Sequence, residues 1–263
     1  MPVTIITGNS NSRARFYPPP LNPSAGVDLY TPTLRLPMID LAQTISAANY
    51  SHQAYSELVR SFGNRYAWKF KTWMSGQFYW LAVDKNYLVF RGSSELPDFL
   101  VDALAVPCRY LGNWVHGGFA LQHKAAKKKL INVLGRMDHS KELVITGHSL
   151  GAAQAELTHL MCQRMGYRSR LVVFGKPRVF LKPSRVRFIK GSVLSVVNCS
   201  DFVTRLPRFL YTVGCSDQDL FYLCSDGSSY LNPDMDFVQE DFRMTSAIKD
   251  HSMKGYLQRL SSL

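Results

Sequence analysis

Apolar and polar positions change their spacing along the chain in a way that predicts alternating strands and helices. From about Ile39 to Val59, Leu41, Ile45, Ala48 and Tyr55 share one face at helical spacing. Phe78–Val83 and Tyr87–Arg91 are β-rich runs joined by Asp84-Lys85-Asn86, the pattern of a hairpin. Ala120–Leu134 reads as a helix with a basic outer face, Glu142–Thr146 as a short apolar strand, and Leu150–Met165 as a helix opening on small residues. Leu171–Phe174 and Val193–Val197 are further buried-strand candidates, and Phe221–Cys224 is a late strand. His251–Leu260 closes as a helix with Met253, Tyr256, Leu257 and Leu260 on one side. Residues 8–37, rich in Asn, Ser and Pro, interrupt the pattern. The alternation predicts an α/β fold around a mostly parallel sheet. It spans one domain, residues 38–263, behind an irregular arm, residues 1–37.

Composition narrows this picture without redirecting it. With 46% hydrophobic, 19% charged and 12% aromatic residues in 263, the chain has the makeup of a globular domain. No apolar run reaches the roughly 18 residues that span a bilayer. The N-terminus has no basic leader ahead of its short Val3–Ile6 cluster. The expectation is a cytoplasmic or peripherally membrane-associated protein. Its five cysteines, Cys108, Cys162, Cys199, Cys215 and Cys224, have no metal-ligand spacing and are expected to be reduced thiols.

The net charge of +12 does add something. No acidic residue lies between Glu156 and Asp201, while nine Lys and Arg fall there, and Lys124, Lys127, Lys128 and Lys129 form a second cluster. Such bias suits an anionic partner, with an anionic membrane surface ahead of nucleic acid, for which no recognition motif is present.

The chemistry centres on Glu142–Ala153, ELVITGHSLGAA. An apolar strand, then Gly147-His148-Ser149-Leu150-Gly151, then a helix is the arrangement that lifts a serine Oγ above a sheet on a strained turn. Gly147 and Gly151 remove the Cβ atoms that would block strand from helix. Ser149 is therefore the candidate nucleophile of a serine hydrolase. Downstream histidines are His159 and His251 only. His159 shares the helix that follows Ser149 and cannot swing back, which leaves His251 as general base. Asp201 follows a buried strand at its carboxyl end, where open α/β sheets place their sites. It is the candidate acid, fixing the imidazole tautomer. Asp250 adjoins His251 and suits a helix cap better.

Six segments, FRGSS (90–94), VHGGF (115–119), VITGHSLGAA (144–153), VFGKPRV (173–179), VVNCSDFVTRLP (196–207) and DHSMKGYL (250–257), resemble the class 3 lipases in order and spacing. These are the fungal-lipase-like branch of the α/β-hydrolases. The resemblance covers about residues 65–260. It implies the α/β-hydrolase fold, a central mostly parallel sheet flanked by helices, with a short lid helix. By resemblance Ser149, Asp201 and His251 form a catalytic triad, and the backbone N–H groups of Ser93 and Leu150 an oxyanion hole. Asp102 would hold the Ser93 hydroxyl, and His116 would be a structural neighbour of the site. Leu96, Phe99, Leu100 and Leu104 would lie on the apolar face of the lid.

The implied activity is hydrolysis of lipid carboxylic esters, of lipase or phospholipase type, through an acyl-enzyme and with no metal or organic cofactor. The basic surface tilts the expected substrate toward glycerophospholipid or membrane-associated acylglycerol. Two other readings stay open: a non-lipid esterase of the feruloyl type, and a non-catalytic lipid- or nucleic-acid-binding protein on a hydrolase scaffold.

Overall fold

The computed structural model describes residues 6–7, 40–55, 66–72, 76–83, 86–92, 106–181, 186–189, 191–207, 211, 218–243 and 246–263. The strands are β1 (Ile6–Thr7), β2 (Tyr66–Thr72), β3 (Gly76–Val83), β4 (Tyr87–Phe90), β5 (Pro107–Tyr110) and β6 (Asn113–His116). After them come β7 (Leu143–His148), β8 (Ser169–Phe174), β9 (Val193–Asn198), β10 (Asp219–Leu223) and β11 (Ser229–Leu231). The helices are α1 (Leu41–Gln53), α2 (Gly117–Leu134), α3 (Leu150–Arg164), α4 (Met235–Glu240), α5 (Ala247–Asp250) and α6 (Met253–Ser261).

Among the described residues one nine-stranded sheet runs in the order β1-β11-β10-β9-β8-β7-β4-β3-β2. Its centre, from β4 through β7, β8 and β9 to β10, is parallel throughout. Antiparallel strands close both sides. Successive side chains of a strand face opposite ways, and the core divides accordingly. Ile145, Leu171 and Val173 pack with α2 and α3, whereas Val172, Phe174 and Val196 pack with α1 and α6. All six residues of β7 are buried, as expected of a strand covered on both faces.

The predicted elements fall close to the observed ones, but β2, β11, α4 and α5 were not predicted, α1 ends at Gln53 short of the expected Val59, and other differences follow. Ile6–Thr7, inside the expected irregular arm, pairs in parallel with β11 and so extends the sheet. The β5–β6 hairpin has no counterpart in the sequence reading, because its short strands carry too little alternation to register. Helix α2 begins three residues early, at Gly117. The closing helix starts at Met253, capped by the Ser252 hydroxyl on the Gly255 N–H. Asp250 is therefore not its cap: it ends α5 and its carboxylate accepts from the Ser200 N–H instead. The lid segment and Cys215 lie outside the described residues, and Cys108, Cys162, Cys199 and Cys224 are free thiols.

The loop after β8 is tied to α3 by a buried ion pair. Lys176 Nζ reaches both oxygens of Glu156 at 3.0 Å. Burial pushes the Glu156 carboxyl up, and the Lys176 charge works against that shift.

The turn between β7 and α3 depends on close backbone approach. A Cβ at Gly147 would stand 2.7 Å from the Gly151 carbonyl carbon and oxygen and 2.9 Å from Phe90 O. One at Gly151 would strike Phe90 O and lie 2.7 Å from the Arg91 carbonyl carbon. Backbone atoms cannot step aside as a flexible side chain can. We expect Gly147→Ala to cost about 1–3 kcal/mol, the usual scale of overpacking. Urea denaturation checks this, and an unchanged midpoint would contradict the packing described.

Candidate active site

The carboxyl ends of β7, β8 and β9 converge on one place, which Ser149, Gly175 and Asp201 mark in turn. Ser149 has φ 58° and ψ −128°, a strained conformation for a residue with a side chain, of the kind concentrated at functional sites. Its N–H donates to Phe174 O at 3.0 Å, anchoring the turn to β8. Leu150 opens α3, so its N–H has no acceptor within the helix.

His251 comes from the loop between α5 and α6. Its Nδ1–H donates to Asp201, at 2.8 Å from each carboxylate oxygen. Asp201 also accepts from the Val203 N–H at 3.0 Å and the Tyr256 hydroxyl at 2.6 Å. With Nδ1 donating, the neutral ring leaves Nε2 as an acceptor. His251 Nε2 and Ser149 Oγ are both buried, and neither has a hydrogen-bond partner among the described residues. Gly175 (φ +55°) makes room for the pair, since a Cβ there would sit 2.6 Å from Asp201 Oδ2 and 3.0 Å from His251 Nδ1.

Three further side chains hold the site, and sequence reading assigned none of them a role there. His148 Nε2–H donates to the His251 carbonyl at 2.7 Å, while the Tyr55 hydroxyl, at 2.7 Å, donates to His148 Nδ1. The rings of His148 and His251 lie 4.6 Å apart. Burial holds the His148 pKa far below its ordinary value, and the neighbouring His251 adds to this. His148 therefore acts as a neutral clamp on the His251 backbone. Tyr256 was read as a core position of the last helix, yet its hydroxyl also accepts from the Asn198 N–H. A buried tyrosine whose ring packs and whose hydroxyl seeks a partner is the one available signal for it.

The other histidines lie apart from this chemistry. His159 bonds to the Ser169 and Ser192 hydroxyls, so it does not reach Ser149, as its place on α3 requires. His123 bonds to Tyr110 and Thr158. His116 stacks on Phe119 at 4.2 Å. Ser93, Asp102 and the lid positions Leu96, Phe99, Leu100 and Leu104 lie outside the described residues. Gly92, the residue before Ser93, stands against the Ser149 turn: its Cβ would be 3.1 Å from Ser149 Cβ.

With the geometry in place, comparison with known proteins is direct. Twenty per cent identity relates the chain to the triacylglyceride lipase of Rhizomucor miehei in structure, with a TM-score of 0.58 over 80% of this chain and 92% of that one. The mono- and diacylglycerol lipase of Aspergillus oryzae gives 0.60 at 18% identity, over 74% and 86%. The architecture is the α/β-hydrolase fold. Residues 87–211 match the family model described as lipase (class 3). The lipase of Rhizomucor miehei is 33% identical over 135 residues, 46% of this chain, and the match spans 37% of that relative's length.

Burial holds His123 and His159 down to about 3 and His116 to about 4, against about 6.5 in an unfolded chain. Between pH 6.5 and about 4 the unfolded chain therefore binds protons that the fold refuses. Stability is fully present above pH 6.5 and falls as pH drops through that window. Thermal midpoints measured from pH 8 to 4 should follow this slope. His159→Gln, which can still bond both serines, should flatten it; an identical slope in the variant would exclude a neutral buried His159.

Proposed function

We propose that this chain hydrolyses carboxylic esters of lipids through a covalent acyl-enzyme. The observation that carries this reading is Ser149 on its strained turn, with His251 held through Nδ1 by Asp201 in the same site. In this reading Ser149 Oγ attacks the acyl carbonyl while His251 Nε2 takes its proton. Asp201 keeps Nδ1 protonated and stabilises the imidazolium without accepting the proton. The N–H groups of Leu150 and Ser93 hold the developing oxyanion, each such donor being worth about 3–4 kcal/mol in the transition state. His251 then returns its proton to the departing alcohol, and a water activated by the same imidazole releases the fatty acid.

Ser149 is fully buried, so an ester must displace whatever covers Oγ to reach it. In this reading the lid expected on Leu96, Phe99, Leu100 and Leu104 opens at a lipid surface to admit it. The match of residues 87–211 to the class 3 lipase model supports lipid esters over the feruloyl type. A non-catalytic role leaves the strained serine and the His251–Asp201 pair without a purpose.

The proposed substrate is a glycerophospholipid or a membrane-associated acylglycerol, met at an anionic membrane surface. The basic composition supports this, as does Ile248 on α5, which is 82% exposed just before His251 and followed by exposed Lys249. An apolar side chain beside a cation suits insertion at a charged lipid interface. Among the described residues no helix is long and apolar enough to cross a membrane.

A fluorophosphonate probe should label the protein at Ser149, and Ser149→Ala should abolish labelling. Asp201→Asn should lower kcat on the order of 10⁴-fold. Long-chain p-nitrophenyl esters should be cleaved faster than short ones, with a further gain on anionic vesicles. Folded protein that resists the probe would overturn the hydrolase reading; no gain from chain length or vesicles would leave an esterase of another kind.

A further inference from the structure

The acid-free run from Leu157 to Ser200 contains more cations than the fold consumes. Lys176 is paired with Glu156 and Arg170 with Glu142. Arg164 and Arg187 have no acidic partner among the described residues, and both line one recess of about 190 Å³. Among the described residues Asn113, Gln163, Leu160 and Val186 line it as well. Two of those wall residues are held in place: Gln163 donates to the Ser192 hydroxyl and Asn113 to Leu111 O.

Arg164 is positioned by the hairpin turn beneath it. Gly112 has φ +64°, and a Cβ there would lie 3.0 and 3.1 Å from the two terminal guanidinium nitrogens. The guanidinium thus lies close against the turn, and a Cβ at position 112 would crowd it by a few tenths of an ångström. Arg164 is also not spent on the negative end of α3. The N–H groups of Met165, Gly166 and Tyr167 return to the carbonyls of Met161, Cys162 and Gln163, and Gly166, at φ +80°, gives the left-handed close of such an end.

We propose that this recess binds the phosphate group of a phosphate monoester, with Arg164 and Arg187 as charge-assisted donors. Two guanidinium groups, with no carboxylate lining the recess among the described residues, match a dianion, and their planar forks suit phosphate oxygens. The site is separate from the reaction centre. Arg164 ends the 15-residue helix that Ser149 begins, which places it about 22 Å away at 1.5 Å per residue, by the amino ends of the strands. The phosphate held there is therefore not on the ester being cleaved. It belongs either to a soluble ester or to the headgroup of a second lipid.

The test uses the whole chain, with inorganic phosphate as probe at constant ionic strength. Phosphate should raise the thermal midpoint in a saturable way, and calorimetry should show about tenfold weaker binding in Arg164→Ala or Arg187→Ala. Chloride reproducing the effect at equal ionic strength would overturn the proposal. So would folded Arg164→Ala/Arg187→Ala protein that binds phosphate as the parent does. Flotation with phosphatidate vesicles then separates the sources. Flotation that phosphate competes away and the double variant loses assigns the headgroup, whereas phosphate binding without flotation assigns the soluble ester. Neither readout depends on ester hydrolysis.

Discussion

Backbone meets backbone at the end of β4, and the rest of the molecule is arranged around that approach. Phe90 O and the Arg91 carbonyl lie against Gly147 and Gly151 at separations that leave no room for a Cβ. Gly92, just beyond, rests on the Ser149 turn under the same restriction. Because β4 and β7 are parallel neighbours, the approach brings the chain that leads to Ser93 beside the turn holding Ser149. It also presses the start of α3 onto the sheet, and the small residues Ala152 and Ala153, both fully buried, continue the fit. The strained φ of Ser149 survives because strand, helix and neighbouring strand all specify it at once.

His251 is fixed by a different means, a buried polar network gathered from distant parts of the chain. Asp201 orients the ring from the end of β9, and Tyr256 and the Val203 N–H occupy the remaining carboxylate positions. The backbone of the same loop is held twice more, by His148 at the His251 carbonyl and by the Asn198 amide at the Asp250 carbonyl. Through Tyr55, the turn that follows helix α1 contributes to this network although it lies nearly two hundred residues before His251 in the chain. In a low-dielectric interior such bonds strengthen one another, and each unmet group would be costly.

What could be read from the sequence follows from how local each signal is. The strand, turn and helix around Ser149 are contiguous, and the two glycines report directly on close approach, so that stretch was legible in full. The parallel strands were legible as apolar runs because both of their faces are covered. Asp201 stood out among the acids downstream of Ser149 by its place after such a run. The supporting residues were not legible. Tyr55, His148 and Tyr256 act through contacts 55 to 103 residues apart, and nothing near them in sequence marks a hydroxyl or imidazole as a clamp. Asp250 misled for the opposite reason: it sits at a helix boundary, but the Ser200 N–H, fifty residues away, claims its carboxylate.

The Glu156–Lys176 pair carries a consequence for how this sequence can change over time. Removing either partner strands a charge in the interior, at a cost of about 3–5 kcal/mol, a large share of the roughly 5–15 kcal/mol that keeps a domain folded. A well-packed apolar pair in the same volume would often be tolerated or even stabilising. The two states are thus both habitable, yet the single steps between them pass through a poorly folded intermediate. Position 156 on α3 and position 176 beside the site should therefore vary together across lineages, as one character and not two.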